Sequence, residues 1–128
     1  MLGMLPNSAI GNGAVGGWSA QLRKGCLELA ILASLWDGQR YGLGILRVLA
    51  ETSSLQVAEG TLYPILARLK ADGLLQSEWV EAEAGHPRKY YRLTVSGRRR
   101  AREMAEAWRE LSSNLSAVIQ PLLKGVAR

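Results

Sequence analysis

Seven apolar residues near the C-terminus, Ala101, Met104, Trp108, Leu111, Leu115, Val118 and Leu122, recur at intervals of 3, 4, 3, 4, 3 and 4. That rhythm lays an apolar seam along one side of a helix, the spacing of a coiled coil sustained for three repeats. It predicts a helix from Ser96 to Gln120 with Pro121 as its stop, roughly 37 Å long at 1.5 Å per residue. A chain of 128 residues is most simply one domain with one core. A strict seam of that length in so small a protein favours pairing between two subunits, with these seven residues as the interface. The alternative is an amphipathic helix lying on its own domain.

The rest of the chain supplies the body. Hydrophobic residues make up 48%, enough for a core. Leu22, Cys26, Leu29, Ala33 and Trp36 fall at helical spacing, and Leu27, Ile31 and Leu35 fill a second face, so a first helix is predicted from Gln21 to Trp36, ended by Asp37-Gly38. A second runs from Tyr41 to Thr52 with Ile45, Leu46 and Leu49 inward; Gly42 and Gly44 weaken it but allow a close approach. After the loop SSLQV, a third runs from Ala58 to Asp72, closed by Gly73. Leu74–Glu83 and Lys89–Thr94 read as two strands joined by the turn AGHPR, held on the helices through Leu75, Trp79, Tyr91 or Leu93. Three helices followed by a hairpin is the order of a winged helix-turn-helix. The predicted organisation is a Gly-rich flexible leader over residues 1–18, the winged domain over 19–94, and a dimerisation helix over 95–128. The fold class is mainly α with a small β-hairpin.

The third helix carries an unusual outward face. Leu62, Ile65, Leu66 and Leu69 point inward; Gly60, Pro64 and Ala67 lie opposite, flanked by Thr61 and Arg68 on one side and Tyr63 and Lys70 on the other. A solvated face ordinarily carries Glu and Lys. A small, flat face edged by hydrogen-bonding and cationic groups suits an element that enters a DNA groove. Pro64 is near enough to the helix start for its missing N–H to be tolerated.

Charge points to the same partner. The formal net charge is +5, and His86 to Arg109 holds eight Lys or Arg against two Glu, so the excess is local. The hairpin puts Glu78, Glu81 and Glu83 on the first strand, and Arg88 and Lys89 at the tip and return strand. Shaped by Gly85 and Pro87, that tip can lie along a DNA backbone with its cations on phosphates and the glutamates turned away.

Other chemistries find little support. The one histidine, His86, falls in the turn and the only aspartates, Asp37 and Asp72, close helices, so neither a hydrolytic triad nor a metal site can be assembled; no enzyme activity and no cofactor are expected. Gly11, Gly13 and Gly16 match a dinucleotide-binding spacing, but Pro6 and Asn7 stand where a strand is required. A lone cysteine, Cys26, permits no internal disulfide, and CLELAILASLW covers about half a bilayer, so a reduced cytoplasmic setting is expected without membrane attachment. Within binding proteins, a sequence-tolerant architectural DNA binder and a winged helix turned to protein contacts are the competing readings.

Two stretches, EGTLYPILARLKADGLLQSEW and GHPRKYYRLT, together with the Tyr41-Gly42 pair, resemble the third helix and wing of the PadR family of bacterial transcriptional regulators, the likeness running from about Leu22 to Leu123. The resemblance implies a homodimeric repressor on a palindromic double-stranded DNA operator, of the branch with a short C-terminal helix. It implies a phosphate contact at Tyr41, recognition-helix contacts at Thr61 and Tyr63, and wing contacts at Arg88 and Lys89. In some small members a tryptophan at the position of Trp108 sandwiches a flat aromatic effector between subunits. Met104, Ala105 and Trp108, with Leu22 and Cys26, would line that pore here. An indole in a seam is otherwise packing, and the sequence does not choose.

Overall fold

The computed structural model describes residues 15–81 and 85–124. Residues 1–14 of the leader expected over 1–18, including Gly11 and Gly13, lie outside them, as do residues 82–84 of the hairpin.

The first helix, α1, spans Gly16–Ser34. It begins five residues ahead of Gln21, so Gly16, Gly17 and Trp18 belong to a helix rather than to the leader. Propagation adds one hydrogen bond per residue once the apolar segment has nucleated, which carries the helix through two poor formers. At its end Leu35 N–H donates to Leu32 O and Trp36 N–H to Ala33 O, a 3₁₀-type tightening that stops α1 short of Trp36.

Tyr41 does not open the second helix. Arg40–Tyr41 form a short strand, β1, that pairs antiparallel with the return strand of the hairpin, Arg40 opposite Tyr91 and Tyr41 opposite Tyr90. The second helix, α2, then spans Gly42–Ala50. After a 3₁₀ turn at Ser53–Leu55, the third, α3, spans Glu59–Ala71. Strands β2 (Leu75–Val80) and β3 (Arg88–Leu93) follow. The sheet therefore has three strands in the order β1-β3-β2 rather than two. An edge strand left with unpaired backbone groups recruits whatever extended segment lies beside it.

The core joins Ile31 and Leu32 of α1 and Leu35 just beyond it, Ile45 and Leu49 of α2, and Leu62, Leu66 and Leu69 of α3 to Leu75, Tyr91 and Leu93 of the sheet. Trp79 is not part of it: the indole is 68% exposed and overhangs a hollow it shares with Gly42 and Tyr63. The end of α3 is a full Schellman closure. Gly73, at φ +79°, lets Leu74 N–H reach Leu69 O while its own N–H donates to Lys70 O.

The final helix, α4, spans Val95–Lys124 and includes Pro121, which does not stop it. The lost bond falls on an exposed final turn where water can satisfy the freed carbonyl. Thr94 caps the start: its Oγ1 accepts from Gly97 N–H at 2.9 Å and donates to Gly73 O at 2.7 Å, tying α4 to the closure of α3. The seam divides here. Ala101, assigned to the dimer interface from its spacing, is buried in the chain's own core, and Met104 packs half-buried against that core. A period of 3.5 records that a face is covered and not by which chain. From Trp108 onward, through Leu111, Leu115, Val118 and Leu122, the seam is exposed.

Candidate nucleic-acid interface

The outward face of α3 is as open as its composition implies. Gly60, Thr61, Tyr63, Pro64, Ala67 and Arg68 are all exposed, and nothing stands within 4 Å of the place where a side chain on Gly60 would be. Tyr63 is the most constrained of them. Its phenol lies against Gly42 at the start of α2, in the space a Cβ there would occupy. Burial pushes its hydroxyl above the usual phenol range, with Glu59 adding to the effect. Tyr91 is raised in the same direction by burial first and by Tyr63 second, so both phenols stay neutral and able to donate near pH 7.

Tyr41 collects cations. The guanidinium of Arg88 sits 4.5 Å above its ring centroid, the Tyr90 ring packs at 5.5 Å, and Arg47 Nη1 donates to its hydroxyl at 3.1 Å. The hydroxyl thus keeps its own proton for an acceptor such as a phosphate oxygen, with two positive charges beside it. Arg47 and Tyr90 were not marked by sequence reasoning. Arg47 lies six residues from Tyr41, a separation that carries no signal until the extended Tyr41 folds back over α2.

The wing separates the two cations that the sequence places side by side. Residues alternate across a strand, so Arg88 shares a face with Tyr90, Glu78 and Arg92, whereas Lys89 shares the other with Trp79 and Tyr91. Lys89 Nζ stands 5.9 Å from the rings of both Trp79 and Tyr91. Glu78 faces away from it, 3.9 Å from Arg92. Gly85, at φ +80°, supplies the left-handed step of the turn.

Arg68 is engaged rather than free. Its Nη2 lies 3.2 Å from Glu28 Oε1 on α1 and its Nη1 3.7 Å from Asp72, while Arg100 of α4 holds the other oxygen of Glu28 at 3.4 Å. One carboxylate thus links three helices. The effector-pore residues are not gathered within one chain. Ala105 lines a small opening of about 250 Å³ with Leu29, Ala33 and Trp36, whereas Met104 lines a larger groove of about 820 Å³ with Leu27, Val57 and Ile65. Neither includes Leu22, Cys26 or Trp108. Among the described residues no cluster of His, Cys, Asp or Glu could hold a metal ion, and no helix is long and apolar enough to cross a membrane.

Comparison with known proteins gives a consistent picture. Residues 31–103 match the model of the Transcriptional regulator PadR-like family. The chain is 36% identical over 92 residues to transcriptional regulator Rv3488 of Mycobacterium tuberculosis, covering 72% of this chain and 84% of that protein. Among solved structures it is similar to a PadR-like transcription factor of Bacteroides fragilis, with 43% identity, a TM-score of 0.66, and coverage of 80% of this chain and 98% of that one. It is also similar to a PadR family regulator of Eggerthella lenta, with 34% identity, a TM-score of 0.72, and coverage of 82% and 91%.

Proposed function

The chain belongs to the PadR-like family of transcriptional regulators, and from that premise we propose that it is a homodimeric repressor that binds a palindromic operator and is released by a small flat aromatic effector. The family is one of DNA-binding regulators and not of enzymes. Each subunit presents Gly60, Thr61, Tyr63 and Pro64 to a major groove, with Tyr41, Arg88 and Lys89 on the flanking backbone.

One observation carries the dimer. Trp108, Leu111, Leu115, Val118 and Leu122 form a single stripe on α4 that stays exposed among the described residues. A solvated helix would not keep that much apolar surface in register, whereas a second copy of the same helix would cover it. A two-fold pair then meets a two-fold operator. Release follows if the effector, seated beside Trp108 between subunits, favours a spacing of the two α3 helices that the operator does not fit. A cytoplasmic site of action goes with a genomic DNA partner.

Selecting bound fragments from the source genome and footprinting them tests the proposal. The expected result is an inverted repeat with half-sites about one helical turn apart, near genes whose products handle the effector. Equal affinity for operator and random duplex would overturn it in favour of a sequence-tolerant binder.

A further inference from the structure

Trp79 leaves an indole in water beside the proposed DNA surface, and its setting identifies what covers it. Along β2, Leu75, Ser77 and Trp79 share the face turned toward the helices. Leu75 is buried and Ser77 half-buried, but Trp79 overhangs and is 68% exposed. The hollow beneath the overhang, about 470 Å³, is bounded by Tyr41, Gly42, Tyr63, Arg88 and Lys89 as well as by the indole. Its lining thus contains two cations, aromatic rings and no carboxylate. It opens on the same side as Tyr63, which α3 turns outward.

We propose that Trp79 is a duplex contact, its ring lying against the deoxyribose of the strand whose phosphates Lys89 and Arg88 neutralise. The inference rests on the DNA-binding reading above and adds to it an apolar component of the wing. An aromatic face carries negative potential and disfavours a phosphate, but it packs well on the C–H face of a sugar. Lys89 Nζ, 5.9 Å from the ring, stands where a phosphate flanking that sugar would be met. A protein partner recognising an indole beside Lys89, in a hollow with Arg88 at its edge, would have to be acidic, and the hollow includes Tyr63 of the α3 face proposed to meet DNA. The duplex fits both features with one ligand.

The contact releases no counterion, so it differs in kind from those of the cations. Plotting log affinity against log salt for a duplex selected by the parent protein, Trp79→Ala should lie parallel to the parent and be roughly tenfold weaker at every salt concentration, the worth of burying part of an indole. Trp79→Phe, which preserves a ring and the fold, should recover most of the loss. In the parent, duplex binding should change tryptophan emission, and that change should largely vanish in Trp79→Phe although Trp18, Trp36 and Trp108 remain. If the parent binds and Trp79→Ala superimposes on it, the proposal is wrong while the regulator reading stands. A flattened slope would also overturn it, since Trp79 would then act only by holding Lys89. A parent that binds no duplex would remove both readings together.

Discussion

The phenol of Tyr63, on the outward side of α3, occupies the space in which a side chain at Gly42 would stand. The pair couples the start of α2 to the outward face of α3. The atoms in the way are the far end of the Tyr63 side chain, which can swing out, so Gly42→Ala should leave stability within about 1 kcal/mol of the parent. It should nevertheless displace Tyr63 and narrow the gap between operator and random-duplex affinity. Thermal unfolding and competitive gel shifts check the two halves separately.

Gly97 presents the opposite case. A Cβ there would meet the backbone carbonyl of Leu74, which already accepts from Thr94 N–H at 3.1 Å and cannot move aside. Gly97→Ala should destabilise the fold by about 1–3 kcal/mol through overpacking, despite the gain of up to about 1 kcal/mol in helix propensity. Denaturant titration measures it; a rise in stability would show that α4 can slide on Leu74.

Removing the charge of Glu28 releases Arg100 and leaves Arg68 only its longer contact with Asp72, at 3.7 Å. Glu28→Gln should lower stability modestly, by about 1 kcal/mol or less, because Arg68 and Arg100 are half-exposed. With Arg68 available to a phosphate, the salt dependence of DNA binding should steepen by about one unit. The expected consequence is tighter and less discriminating binding, read from operator and random duplex in parallel.

Arg88→Ala combined with Lys89→Ala should weaken binding and flatten the same salt dependence by about one to two units. Because the two side chains leave opposite faces of the wing, each single variant should account for part of the change. An unchanged slope in the double variant would exclude wing–phosphate contacts.

Leu111→Glu with Leu115→Glu alters two side chains that are already exposed in the single chain, so its secondary structure should be retained. Sedimentation equilibrium should nonetheless show the parent as a dimer and this variant as a monomer. In the parent, planar aromatic compounds should quench the emission of Trp108, an effect lost in Trp108→Ala; a broad panel without quenching would count against a pore there.

The helix order, the inward residues of α3 and the two long strands were legible because each repeats a period over many residues. What escaped lacked a period or depended on residues far apart. β1 has two residues and no alternation to read, so Tyr41 was placed in a helix. Ala101 keeps the heptad spacing while packing in its own core, since spacing does not record whose surface covers it. Trp79 alternates correctly with Leu75 but overhangs a hollow edged by Gly42 and Tyr63 instead of packing on helical side chains, which the sequence around the indole does not record. The bond of Arg68 to Glu28 spans 40 residues. Each adjustment leaves the outward face of α3 intact while changing which side chains stand around it.

The fixed point at Gly97 gives α4 the mechanics of an oar in a rowlock. Between Gly97 and Lys124 the helix extends about 40 Å, so a tilt of about 5° at the pivot sweeps its far end through roughly 3.5 Å. Read from the other end, a grip far out on the shaft sets the blade angle finely, because ångström-scale slack there becomes only a degree or two at α3. A tight backbone seat close to the winged domain and a long bare shaft beyond it together make the distal turns a gauge of orientation for the outward face of α3.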